Sequence, residues 1–314
     1  MAKNNRWENI FPAICIPFND DYTLDEGEFR NYVQWLASMD LIDGLVCNGH
    51  TGEITSLNRK ERRHVTEVMC DEVGGKVTTI SGVSAEGTLE AIEHAKDAQK
   101  AGADGILLMP PHNWLRFGMK QEAVIRLFQD VASAIDIGII IHLYPYITKA
   151  FYPVETIVEL AKIPNVKTLK MGTRQMAVYE RDIRVLRREA PDLTILTCID
   201  EYVLTAMYVG VDGALIGFGG CIPEAITEAW RAMKEGDFAK TRELQEQIFP
   251  MAEAIYGIGQ PSGEAHARMK EALRQRNVFS SALMRPPVLP LSGEEKALIF
   301  DAVKNLKEPT VGLV

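Results

Sequence analysis

The sequence predicts an α/β protein, a (β/α)8 TIM barrel with an appended C-terminal helical region, and three observations carry that reading. Eight short apolar, β-branched runs recur along the chain, segments of helical period lie between them, and the junctions leading into the runs repeat one device. Runs that are apolar throughout fit strands buried on both faces, as in a parallel sheet. The junctions read Ile42-Asp43-Gly44, Ala103-Asp104-Gly105 and Val211-Asp212-Gly213. In the last two, Gly102 or Gly210 stands where a helix C-terminus favours glycine.

The runs lie at residues 13–16, 44–47, 77–81, 105–109, 137–143, 166–170, 193–198 and 214–218. Their spacing is about 30 residues, the length of a β–α–β element. Residues 28–39 place Phe29, Tyr32, Val33, Trp35 and Leu36 on one side of a helix, and residues 88–100 do the same with Leu89, Ile92, Ala95 and Ala98. Residues 224–234 read as the eighth barrel helix. This gives a barrel over 1–234 and a helical region over 235–314 packed on it, broken at 257–263 and 285–290. A Rossmann-like sheet is the weaker alternative, because no Gly-x-Gly-x-x-Gly follows the first run.

The composition fits such a domain. The chain has 314 residues, 46% hydrophobic and 25% charged, enough for a large core and against disordered or disulfide-stapled classes. Net charge is -9 with no basic run, so neither nucleic acid nor an anionic membrane surface is an expected partner. Five cysteines at 15, 47, 70, 198 and 221 lack Cys-x-x-Cys spacing, and no run is long enough to span a membrane. With no signal-like stretch at residues 1–6, a cytoplasmic location is expected.

In such a barrel the chemistry sits at the C-terminal ends of the strands. Those positions hold Gly49-His50-Thr51-Gly52-Glu53, Pro110-Pro111-His112-Asn113-Trp114, His142-Leu143-Tyr144-Pro145, Lys170 and Asp200. Alternation through residues 166–170 points Val166, Thr168 and Lys170 inward. A lysine among apolar walls has its charged form disfavoured, so its amine becomes nucleophilic and can form a Schiff base with a carbonyl; the alternative is an ion-paired strand-end lysine. The Gly49–Glu53 turn can bring backbone N–H groups to a carboxylate, or be an ordinary turn.

These motifs resemble the dihydrodipicolinate synthase/N-acetylneuraminate lyase family. The resemblance rests on Ile14-Cys15-Ile16-Pro17, the Gly-x-Thr-Gly-Glu turn, the strand ending in Pro145, the strand ending in Lys170 and Pro286-Pro287-x-x-Pro290-Leu291, and it spans residues 10–307. It implies a class I aldolase or dehydratase acting on pyruvate or another 2-oxo acid, assembled as a homotetramer. It also implies Lys170 as the Schiff-base lysine and a cradle for the 2-oxo carboxylate at His50 and Thr51, with Gly49 and Gly52 shaping the turn. No cofactor beyond the covalent Schiff base is expected.

The departures concern proton transfer and substrate. His50 replaces a relay threonine, His142 stands where the family's acid/base tyrosine would be, and Tyr144 two residues on faces the same side. His112 follows the fourth run, where a second relay tyrosine belongs. The catalytic set is thus Lys170, His142, Tyr144 and His50, since histidine transfers protons near neutral pH. Three clustered histidines could instead hold zinc, but Lys170 already activates the carbonyl and no metal is expected. His64, His94 and His266 are read as structural.

Ile147 occupies the position of a substrate-binding arginine, Lys149 is the nearest cation, and Trp114, Phe117, Tyr144 and Tyr146 predict an aromatic surround. His112, Trp114 and Gly217 complete the substrate-binding set. Asp200 shapes the rim or serves structure. The reading is a Schiff-base lyase or aldolase, of hydratase-aldolase type with an aromatic or weakly polar partner. The alternatives are a dehydratase of a 2-keto-3-deoxy sugar acid, 4-hydroxy-tetrahydrodipicolinate synthase proper, or a silent 2-oxo acid binder.

Overall fold

The computed structural model describes residues 6–257, 263–304 and 306. Eight parallel strands form one sheet: β1 (Asn9–Pro12), β2 (Gly44–Cys47), β3 (Thr78–Val83), β4 (Gly105–Leu108), β5 (Gly138–His142), β6 (Val166–Met171), β7 (Thr194–Thr197) and β8 (Gly213–Ile216). Their order is β1-β8-β7-β6-β5-β4-β3-β2. The barrel closes between β1 and β2, where Ile10 N–H bonds Leu41 O at 3.0 Å and Ile14 N–H bonds Val46 O at 3.0 Å.

Between the strands lie α1 (Glu26–Ala37), α2 (Arg59–Val73), α3 (Thr88–Lys100), α4 (Asn113–Phe117), α5 (Gln121–Ala132), α6 (Val154–Leu160), α7 (Met176–Glu189) and α8 (Val203–Tyr208). After β8 come α9 (Phe218–Cys221), α10 (Pro223–Glu235), α11 (Phe238–Tyr256), α12 (Glu264–Gln275) and α13 (Gly293–Val303). Local signals set several boundaries. Asp25 caps α1, Asn58 and Glu61 form a capping box on α2, and Gly236 takes the left-handed conformation that ends α10. Helices α11, α12 and α13 pack on one another, and α11 packs on α10.

The repeated Asp-Gly junction has a physical cause at the barrel floor. Asp104 accepts the Thr79 N–H at 2.9 Å and Asp212 accepts the Ile195 N–H at 2.7 Å, so each carboxylate satisfies the start of a neighbouring strand. The glycine that follows meets a crowded floor. A Cβ on Gly44 would fall 2.2 Å from the Phe11 ring, on Gly105 2.3 Å from the Trp7 ring, and on Gly213 1.9 Å from Asn9 O. Trp7 plugs this end beneath Phe11, Ala13, Val46, Ile80, Leu107, Ile140, Leu196 and Leu215, which fill the interior.

Two expectations change. The first strand is Asn9–Pro12, not residues 13–16, which run on from the strand end as buried backbone. The apolar run reports burial under the surrounding layers, not strand pairing. Val166 packs in the layer between strands and helices rather than inward. The β5–β6 register slips between Ile139 and Ile140, skipping Lys167, so the alternation restarts and only Thr168 and Lys170 keep the predicted face. The expected break at 257–263 falls mostly on 258–262, and the N-terminal reading mostly on residues 1–5, all outside the described residues.

Cys15, Cys47, Cys198 and Cys221 are free thiols. Among the described residues no helix is long and apolar enough to cross a membrane.

Candidate active site

At the C-terminal ends of the strands lies a cavity of about 820 Å³. It is lined by His50, Thr51, His112, His142, Tyr144, Lys170 and Gly217 of the predicted set, together with Arg174, Cys198, Asp200, Tyr256, His266 and Arg285.

Lys170 stands opposite His142 in the β5–β6 pairing, and Leu196 flanks it from β7. Leu143 N–H bonds the Lys170 carbonyl at 3.0 Å, which locks the two strand ends together. Directly after β6, a Cβ on Gly172 would fall 2.0 Å from Leu143 O, so only glycine lets the backbone turn there. Burial lowers the Lys170 amine below its ordinary value; the acidic groups Cys198 and Asp200 oppose this and Arg174 adds to it.

The turn after β2 brings His50 and Thr51 to the cavity. Asn48 and Glu53 take left-handed backbone conformations, and Glu53 N–H and Ile54 N–H close the turn on the carbonyls of His50 and Gly49 at 2.9 and 3.2 Å. Asn48 anchors it from below, donating to Arg62 O, Thr66 Oγ1 and Ser81 Oγ. Gly52 is tight, with a Cβ 3.1 Å from Asn48 N, whereas Gly49 faces open space. Neither glycine lines the cavity.

The three histidines converge. His50 Nε2 lies 3.4 Å from His112 Nε2 and 3.2 Å from the Tyr144 hydroxyl. The His142 ring meets Tyr144 edge-on at 5.0 Å and lies 5.5 Å from His50. Burial drives His50 down to about 3, and Lys170 adds to this; His142 falls well below its ordinary value for the same two reasons. Both rings are therefore neutral at physiological pH. His142 Nδ1 is buried with no hydrogen-bond partner. Burial raises the Tyr144 phenol. Among the described residues no three His, Cys, Asp or Glu side chains are placed to hold one metal ion.

Further lining residues are polar. Asp200 accepts Phe218 N–H at 2.7 Å, Gly217 N–H at 3.4 Å and the Tyr256 hydroxyl at 2.9 Å, and burial raises its carboxyl to about 6. Asp200 thus both holds the start of α9 and faces the cavity. Arg174 is nearly buried and ion-paired with Glu201 at 3.0 Å. His266 comes from α12, outside the barrel, and burial lowers it to about 4, with Lys170 contributing. Reading strand ends alone misses His266, Tyr256 and Arg285, all from the C-terminal region. His266, expected to be structural, lines the cavity.

The predicted aromatic surround does not form. Trp114 turns to Tyr152, edge-on at 6.4 Å, and Leu115 takes the cavity side of α4. Phe117, Tyr146 and Ile147 are 72%, 47% and 64% exposed, outside the lining. Only Tyr144 of that group remains. The cause is α4: a short helix after β4 rotates Trp114 toward the core.

A model of the dihydrodipicolinate synthetase family matches residues 6–306. The 4-hydroxy-tetrahydrodipicolinate synthase of Methanopyrus kandleri is 31% identical over 303 residues, covering 95% of this chain and 96% of that protein. The enzyme of the same name from Nitrobacter hamburgensis is 30% identical over 305 residues, covering 96% and 98%. Among solved structures, dihydrodipicolinate synthase from Agrobacterium tumefaciens superposes with a TM-score of 0.85 at 26% identity, covering 96% and 99%. A family protein from E. coli K12 in complex with pyruvate has the same fold, with a TM-score of 0.87 at 24% identity, covering 96% and 99%.

Proposed function

The chain belongs to the dihydrodipicolinate synthetase family, and we propose that Lys170 is its Schiff-base nucleophile, acting on pyruvate or a substituted 2-oxo acid. Family members are lyases of the class I aldolase type. The observation that carries the assignment is the half-buried Lys170 amine, depressed in pKa by desolvation, at the end of β6 in a cavity that His142, Tyr144 and His50 share. A neutral amine attacks the C2 carbonyl, and loss of water from the carbinolamine gives the imine. Thr51, on the turn closed by Glu53, faces the carboxylate.

Proton transfer falls to Tyr144 and His142. The Tyr144 hydroxyl has a neutral His50 nitrogen as its acceptor, and neutral His142 is the side chain paired with Lys170 across the strands. For the second partner, the cavity lining offers apolar Leu115, Met284 and Val288 together with polar Arg174, Asp200, Tyr256 and His266. This lining supports a partner with a polar group more than an aryl one. The resemblance also implies a homotetramer, and exposed Phe117, Tyr146 and Ile147, at the same end of the barrel, offer an apolar face to cover.

The test is intact-mass analysis after incubation with pyruvate and borohydride, followed by peptide mapping. One reduced pyruvyl adduct on Lys170 is expected. An adduct on another lysine, or none with pyruvate and a panel of larger 2-oxo acids, refutes the assignment. His142→Ala should still form the adduct but turn over about 100-fold more slowly. Steady-state rates equal to wild type would remove His142 from the relay.

A further inference from the structure

A line of polar contacts leads from the cavity to the surface, and its outer member is a residue the sequence reading passed over. Tyr144 OH lies 3.2 Å from His50 Nε2, which lies 3.4 Å from His112 Nε2. On the other edge of that ring, His112 Nδ1 is 3.7 Å from Glu86 Oε1. Glu86 comes from the loop between β3 and α3. Its two oxygens also accept the backbone N–H groups of His112 at 3.0 Å and Asn113 at 2.9 Å. One carboxylate therefore fixes the backbone that carries His112 and faces the ring it carries. Exposure rises along the line, from 6% at Tyr144 to side-chain values of 33% at His112 and 55% at Glu86.

We infer that Glu86 is a positioning residue and the outer end of a proton path, joining the cavity to solvent through Tyr144, His50 and His112. The inference rests on the Schiff-base reading given above. Two contacts meet at one His50 nitrogen, so the proton that Tyr144 offers to Nε2 and the proton that passes to His112 use the same lone pair in turn. A desolvated His50 does not retain the proton between transfers. At His112, a proton taken at Nε2 is matched by loss of the Nδ1 proton to Glu86, which leaves the ring neutral in its other tautomer.

The step balances. When the methyl carbon of the Lys170-bound pyruvate loses a proton, the C3–H electron pair becomes the C2=C3 bond. The C=N π pair returns to nitrogen, and the cationic iminium becomes a neutral enamine. As the Tyr144 oxygen takes the C3 proton, its own hydroxyl proton passes to His50; His50 passes one on to His112 Nε2, and the proton released from His112 Nδ1 arrives on the Glu86 carboxylate, where solvent removes it. The reverse path resets the ring.

Deuterium exchange into the pyruvate methyl group in D2O, followed by NMR on the full chain, reads this step without needing the second substrate. Glu86→Gln keeps an acceptor for a backbone N–H but cannot take a proton, whereas Glu86→Asp keeps the carboxylate. Glu86→Gln is expected to exchange on the order of tenfold more slowly than wild type, with unchanged borohydride trapping at Lys170. Glu86→Asp should recover a measurable part of the loss. Wild-type exchange in Glu86→Gln, or Glu86→Asp as slow as Glu86→Gln, overturns the inference while the Schiff-base reading stands. Absence of trapping in the wild-type chain overturns that reading instead, and the inference with it.

Discussion

Lys170→Ala is expected to lose 2-oxo acid turnover by about four orders of magnitude or more, together with all borohydride trapping. No other lysine lines the cavity among the described residues, so none can substitute as nucleophile. The same site predicts that removing the amine does not harm the fold. Burial holds the Lys170 amine below its ordinary 10.5, so the folded state binds that proton less well than the unfolded chain does. The resulting cost to stability is full below the lowered folded value, shrinks as pH rises from there, and is gone above 10.5. Lys170→Met, which keeps most of the volume, should therefore melt at or above the wild-type temperature at pH 7. Its advantage should fade as pH climbs toward 10.5. A clear drop in melting temperature at pH 7 would mean that Lys170 instead contributes a stabilising ion pair, with Asp200 the acid facing it.

The barrel was legible because its junctions obey local chemistry. Asp-Gly marks a strand entering a crowded floor where a Cβ has no room; at Asp104 and Asp212 the carboxylate also caps the neighbouring strand, whereas Asp43 accepts the Asn9 side-chain amide. Apolar runs are less specific. Residues 13–16 are as buried as any strand, yet no ladder forms there beyond one bridge, Ala13 to Val46 of β2. The position of Val166 depends on a register slip in β5–β6 pairing, a property of two strands that neither strand's own alternation contains.

The site divides along the same line. Lys170, His50, His112, His142 and Tyr144 stand at strand ends and were found by position. Trp114 stood there too, but α4 rotates it onto Tyr152. Tyr256, His266 and Arg285 reach the cavity from α11, α12 and the segment before α13, whose placement follows from long-range packing. One signal was available: Glu53, in the turn that forms the cavity floor, is a carboxylate in an apolar neighbourhood and needs a cation from elsewhere in the chain. That cation is Lys270.

Lys270→Met is expected to destabilise the protein by about 3–5 kcal/mol, the range for stripping one partner from a buried ion pair. The Lys270 and Glu53 side chains are 0% and 5% exposed and 2.9 Å apart. Lys270 Nζ also donates to Leu283 O and sits 4.3 Å from the centre of the Phe18 ring. Without it the Glu53 carboxylate, among the described residues, keeps one hydrogen bond, from the Arg285 backbone N–H at 3.4 Å, and the more distant Arg285 charge. The double change Glu53→Gln with Lys270→Met should recover a large part of the loss, because the unpaired charge is then gone. Denaturant melts of the two single variants and the double variant measure that coupling, and a Lys270→Met loss below about 1 kcal/mol would contradict it. Function should follow the turn. Glu53 holds the left-handed backbone beside Thr51, so both single variants should raise KM for the 2-oxo acid more than they lower kcat. The C-terminal region, through Lys270 and Arg285, thereby sets the shape of a turn 217 residues earlier in the chain.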